Sequence, residues 1–212
     1  MTASLLAASS ANSKAGGMPA VSRSYSQEYG MQQVRVLPGA YYTTSSAQEM
    51  IVTILGSCVA ACVRNPRTGY GGMNHFMLPE GDDSKWGGPN SAMRYGNFAM
   101  EALINDVLKT GCARCELEIK LFGGANLYNG ASMVGTHNLE FALGYLRAEG
   151  LPLETHDLGG PRGRRIHYFP ATGKVKRLLL KPTTDQRLVR SEQDYIKSLL
   201  QQPIEGDVDL FE

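Results

Sequence analysis

The chain carries almost no net charge. Its 21 basic and 20 acidic side chains leave +1 at pH 7 over 212 residues, so no long-range field draws it to nucleic acid or to a charged lipid surface. It has no apolar run near the eighteen or so residues that a membrane span requires. The short apolar stretch at residues 4–8 follows no basic residue, so it does not read as a signal peptide. Cysteine is scarce, with four residues at irregular positions, which argues for reduced thiols rather than a secreted disulfide framework. Metal-ligand spacings are missing too. Cys112 and Cys115 make one CxxC, but no second CxxC or HxxxH completes a structural zinc site. That CxxC lies between a helix end and a strand, whereas a thioredoxin-like motif would head a helix. The stretch GGPRGRR, residues 159–165, lacks the GK[ST] ending of a phosphate-binding loop. These absences leave a cytoplasmic protein that binds neither nucleic acid nor membrane.

What remains is the composition of an ordinary globular domain, 42% hydrophobic and 19% charged. Residues 1–30, rich in Ala, Ser and Gly, read as a disordered extension. Residues 31–182 read as one domain. Residues 183–212 read as a polar tail with a short helix at 192–200, its acidic end being either a docking peptide or a frayed terminus. Within the domain, strands are expected at 31–37, 51–63, 70–78 and 117–122, with a polar connection at 41–48. A helix is expected at 93–109, where Ala99, Met100, Leu103, Ile104, Val107 and Leu108 form one apolar stripe. A second should start at Thr136 and stop at Gly150. Residues 166–169 and 174–180 read as a closing hairpin. The fold class is therefore α+β, a layered sandwich with two main helices on one side of a mostly antiparallel sheet.

The chemistry concentrates in residues 51–79, IVTILGSCVAACVRNPRTGYGGMNHFMLP. If the strands on either side of Asn65-Pro66-Arg67 form a hairpin, Cys58 falls opposite His75, give or take a residue. Opposed residues of an antiparallel pair have Cβ atoms about 4.5–5.5 Å apart, close enough for a thiol to meet an imidazole. A cysteine beside a histidine is the minimal apparatus of thiol nucleophilic catalysis, and a neighbouring imidazolium would lower the thiol's pKa. A strand cysteine is also commonly plain packing, and spacing alone leaves both readings open. Gly56 and Ser57 precede the cysteine, and their backbone N–H groups are the candidate oxyanion donors. Gly71-Gly72, just before Asn74 and His75, would let a substrate backbone come near.

LGSCVA followed by GGMNHFMLP resembles the CheD family, the chemoreceptor glutamine deamidases of bacterial chemotaxis. The resemblance continues through RYGNFAMEALINDVL, KLFGGANLY, VGTHNLEFALGYL and DLGGPRGRRI, spanning about residues 34–180. It implies a cysteine-hydrolase, deamidase-like layered fold, with Cys58 as nucleophile, His75 as base and no cofactor. A threonine completes the family site. Some members carry it six residues before the cysteine, where this chain has Val52, while Thr53 stands five before. Thr53 is the candidate, provided that a bulge at Gly56 restores the face that a one-residue offset would flip. The implied reaction turns receptor glutamines into glutamates, and family members also bind a CheC-type phosphatase. The resemblance places residues 159–165 near the site, so Arg162 and Arg164 are candidates to face substrate, as is Asn74 beside His75. The loop at 80–91 is either a substrate rim or plain surface. Two other functions compete: a non-catalytic chemotaxis binding module, and a cysteine peptidase.

Overall fold

The computed structural model describes residues 9–11, 21–78, 91–127, 133–181, 190–192 and 194. Among the described residues, eleven named strands and two named α-helices follow one another as β1 (Ser9–Ala11), β2 (Val21–Ser26), β3 (Met31–Val36), β4 (Ala40–Thr44), β5 (Glu49–Leu55), β6 (Val59–Arg64), β7 (Gly71–His75), α1 (Ser91–Leu108), β8 (Glu118–Gly123), α2 (Val134–Ala148), β9 (Thr155–Leu158), β10 (Arg164–Phe169) and β11 (Lys174–Leu179). No described helix is long and apolar enough to cross a membrane.

The expected single sheet is two. One has six strands in the order β1-β4-β7-β6-β8-β9, and the other five in the order β11-β10-β5-β3-β2. Each is antiparallel apart from one parallel pair, β8 with β9 and β3 with β5. The six-stranded sheet lies in the middle, and the side chains of β6 show why. Val59, Ala61 and Val63 pack with Met100, Leu103, Val107 and Leu146 of the helices. Ala60 and Cys62 pack instead with Val34, Ile51, Leu55 and Ile166 of the second sheet. A strand covered on both faces reads as an unbroken apolar run, as this one does. Helices, central sheet and second sheet make three layers.

The run at 51–63 was expected to be one strand. It breaks at Gly56-Ser57-Cys58, because β5 belongs to the five-stranded sheet and β6 to the central one. Both halves are apolar and β-branched, so hydrophobicity alone carries no sign of the corner between them. Two further strands were concealed for other reasons. β2 falls inside the stretch read as an extension, yet it pairs with β3 from Val21↔Val36 to Ser26↔Met31. Its middle residues are all exposed, so it needs no hydrophobic alternation. β4 replaces the expected polar connection, with Tyr42, Thr43 and Thr44 fully buried between its neighbours. The α1, α2, β8 and β10–β11 expectations hold to within a few residues. Thr136 sits inside the first turn of α2 rather than capping it, the N-cap being Met133. In the tail, residues 190–192 and 194 are helical. The remainder of the expected tail helix, and the loop at 80–90, lie outside the described residues.

Candidate active site

The corner between the two sheets carries Cys58. The β6–β7 hairpin is closed by Asn65 N donating to Tyr70 O at 2.9 Å, with Gly69 at φ +71° in the turn. Its register pairs Cys62 with Met73 and Val59 with Phe76, which sets Cys58 beside Met77. The expectation that Cys58 opposes His75 is therefore two residues out. The turn is centred between Arg67 and Thr68 rather than at Pro66-Arg67. Cys58 Sγ lies 3.7 Å from Met77 Sδ. His75, two residues back along the chain, projects from the same face as Met77, diagonal to the thiol.

Thr53 reaches this point from the other sheet. Ile51 and Leu55, which share its face of β5, belong to the inter-sheet core, and Thr53 Oγ1 lies 2.8 Å from His75 Nδ1. Both residues are buried, Thr53 at 1% and His75 at 4% exposed. The Thr53 hydroxyl donates its one proton to Val36 O at 3.0 Å. Its oxygen must then accept from Nδ1–H, which fixes the imidazole as the tautomer with its lone pair on Nε2. Val52 alternates to the other face of β5, and no bulge is needed. The parity argument assumed one continuous strand, and the corner at residues 56–58 removes that assumption.

Three backbone N–H groups converge at the corner. Gly56, Ser57 and Cys58 N lie 3.0, 3.2 and 3.4 Å from the carboxylate of Glu192, and Ser57 Oγ donates to the same group at 2.7 Å. A Cβ on Gly56 would come within 2.7 Å of Glu192 Oε1 and of Leu127 Cδ1, so only glycine leaves room for an anion there. Two neighbours hold the corner in shape. Gly124 N and Ala125 N donate to Cys58 O and Gly56 O, both at 2.8 Å. Asn138, fully buried on α2, donates to Ser57 O at 2.9 Å and accepts from Leu78 N at 2.7 Å. Sequence reasoning missed Glu192 and Asn138 as parts of the site. One lies 134 residues beyond the cysteine and the other looked like an ordinary helix-start residue.

The thiol is not lowered in this arrangement. Complete burial pushes Cys58 well above its usual range, and the charge of Glu192 and a hydrogen bond to it push the same way. The expected depression by His75 does not appear: burial dominates, and the Glu192 carboxylate, which the local sequence could not reveal, adds to it.

Other candidates are structural. Asn74 is 1% exposed and faces the helices, accepting from Ala61 N at 2.7 Å and donating to Ala99 O at 2.9 Å. Its place on β7 alternates with that of His75, which turns it away from the corner. Arg164 is 2% exposed and donates to the carbonyls of Asp157 and Gly159, with Asp157 Oδ2 at 3.3 Å. It ties the glycine-rich loop together rather than facing substrate. Arg162 is half-buried and clasps Leu180 O at 2.9 Å. The glycine pair before His75 also serves the fold, since a Cβ on Gly72 would strike Tyr42 O and one on Gly71 would strike Arg64. Among the described residues no cluster of three His, Cys, Asp or Glu side chains could hold a metal. Cys112 and Cys115 are free thiols, the first just before and the second within a 3-10 turn at Arg114–Glu116.

A family model described as CheD chemotactic sensory transduction matches residues 77–177, starting just past His75. Relatives extend the likeness over nearly the whole chain. A protein of Rhodopseudomonas palustris (strain BisA53) is 50% identical over 178 residues, 84% of each chain. Another, from Halorhodospira halophila, is 48% identical over 199 residues, 92% of each. A third, from Hahella chejuensis, is 45% identical over 195 residues, 90% of each. All three are named probable chemoreceptor glutamine deamidase CheD. Identity at this level over this coverage decides the family: the chain belongs to the CheD family.

Proposed function

We propose that this protein hydrolyses glutamine side chains of chemotaxis receptors to glutamate, with Cys58 as nucleophile, His75 as base and Thr53 orienting the imidazole. The observation that carries the site assignment is the Thr53–His75 hydrogen bond at 2.8 Å, made across two sheets beside a buried cysteine. A packing cysteine would require neither the histidine nor its fixed tautomer.

His75 Nε2 takes the thiol proton as Cys58 Sγ adds to the carboxamide carbon. The carbonyl oxygen becomes an oxyanion facing the N–H groups of residues 56–58, which are oriented before the charge develops. The imidazolium returns its proton to the amide nitrogen, the C–N bond breaks and ammonia leaves a thioester. Water then attacks the thioester carbon while Nε2 takes its proton. The C–S bond breaks, the thiol regains a proton, and glutamate remains. The steps use only side chains and backbone amides of this chain.

The receptors carry their glutamines on the cytoplasmic side, so we place the enzyme in the cytoplasm. A CheC-type phosphatase is proposed as a second partner on the family resemblance. The deciding experiment incubates the protein with a receptor cytoplasmic fragment and follows mass. Deamidation adds about one dalton per glutamine with the chain intact. Cleavage would mean a peptidase, and binding without any mass change would mean a non-catalytic module.

A further inference from the structure

Among the described residues, Glu192 is the one side chain that meets all three N–H groups of the corner. Its carboxylate accepts from Gly56, Ser57 and Cys58 N and from Ser57 Oγ. It is 7% exposed, although it lies on a helical turn beyond the last strand, far in sequence from everything it touches. Four donors around one carboxylate make a built anion site, of the kind that successive backbone N–H groups form. The group they hold is a glutamyl side chain, chemically identical to what remains of a glutamine once its amide has been hydrolysed.

We propose that Glu192 is an intramolecular pseudo-product: the helical turn at residues 190–192 seats its own glutamate in the donor set that stabilises the reacting amide, and so competes with receptor for the site. This deepens the deamidase reading and rests on it. The competition acts on two atoms. The carboxylate oxygens occupy the oxyanion donors, so a substrate carbonyl cannot reach them while Glu192 is seated. The same negative charge opposes ionisation of Cys58, which burial already disfavours. A receptor glutamine enters only when Glu192 leaves these donors, and a receptor or partner that draws Glu192 away would raise the activity. The site thereby recognises side-chain carboxylates as a class, and glutamates already produced on the receptor should bind it weakly.

The competition predicts a particular kinetic pattern. If the seated form predominates about ten to one, apparent receptor affinity falls by that factor. In the full-length protein, Glu192→Ala should then raise kcat/KM on a receptor fragment by about tenfold, through KM, with kcat little changed. Iodoacetamide should alkylate Cys58 faster in Glu192→Ala by a similar factor, a readout that needs no receptor. Glu192→Gln supplies the sharpest arm, because it keeps the shape and installs a substrate amide. That amide should hydrolyse in cis, adding about one dalton at position 192 at a rate independent of protein concentration, and not when Cys58→Ala is also present. Wild-type values of alkylation and kcat/KM in Glu192→Ala would overturn the proposal. So would an amide at 192 that persists while the same enzyme deamidates receptor. Faster alkylation with no receptor glutamine ever converted would instead overturn the deamidase reading, and the pseudo-product with it.

Discussion

Strand β6 has two ends with opposite electrostatics, six residues apart. At one end Cys58, His75 and Thr53 are buried around backbone N–H groups aimed at an anion. At the other, Arg64 meets Glu118 at 2.8 Å, Lys120 meets Glu118 at 2.9 Å, and Arg64 also donates to the carbonyls of Pro170 and Ala171. Charges at the far end are mutually satisfied between strands and a turn, so that end closes the two sheets and has no capacity left for a ligand. At the corner, the donors are arranged for a charge that arrives from elsewhere. Burial is common to both ends, and what separates a site from a structural network is whether the polar groups already satisfy one another.

The largest effects should separate Cys58, just before this strand, from Cys62 within it. Both thiols are buried and burial raises both above their usual range, but only Cys58 lies at the corner. Cys58→Ala should abolish deamidation with the melting temperature nearly kept. Cys62→Ala, in the inter-sheet core, should leave kcat/KM within about twofold while costing about 1 kcal/mol of stability, typical of a buried substitution. Full activity in Cys58→Ala would end the mechanism.

Next comes the threonine. Thr53→Ala leaves the imidazole free to rotate or change tautomer, so the rate should fall roughly tenfold to hundredfold, within the range that a positioned acid–base group contributes. Thr53→Ser keeps the hydroxyl and should recover much of it, with KM steady throughout. Val52→Thr should gain nothing, since residue 52 faces the other way. A Thr53→Ala enzyme with wild-type kcat would leave His75 needing no orienting partner.

These residues also mark how much the sequence disclosed. Cys58 and His75 were legible because a hairpin turn lies between them and period-2 alternation puts polar chemistry on a strand. The pairing missed by two because Asn65, the strong turn former, closes the loop from its edge rather than its middle. Thr53 came from the family resemblance; no local pattern relates residues on two different sheets. Asn138 and Glu192 act through contacts 81 and 134 residues apart in the chain, for which single-sequence periodicity has no signal. Layering followed from apolar patterning, while the second sheet did not, because one apolar strand looks the same whichever sheet it joins.

A smaller effect is expected at the corner's support. Asn138→Ala leaves Ser57 O and Leu78 N without the partner they now have, costing about 1–3 kcal/mol for a buried pair of this kind. Because those two groups flank Cys58 and its neighbour Met77, activity should fall along with the melting temperature. Thermal unfolding and receptor kinetics on the same preparation would check both. A stability loss with kcat/KM unchanged would assign Asn138 to the fold alone.

The smallest effect belongs to the far end and depends on pH. Burial alone would raise the Glu118 carboxyl, but hydrogen bonds from Lys120 and Arg64, with their charges, hold it below its ordinary value. A carboxylate whose folded pKa is depressed binds fewer protons folded than unfolded between the two values, so stability rises with pH across that window. Its contribution is complete above the unfolded pKa of about 4.3 and drains away as pH falls through the lower folded value. Glu118→Gln should therefore melt below wild type at neutral pH, and the gap should narrow once the pH drops under about 4. Receptor deamidation at pH 7 should match wild type, because the change lies at the end of β6 remote from Cys58. A melting difference that stays constant from neutral to acid pH would mean that the ionised Glu118 is not what stabilises this end, and a loss of kcat/KM would mean that the two ends of the strand are coupled after all.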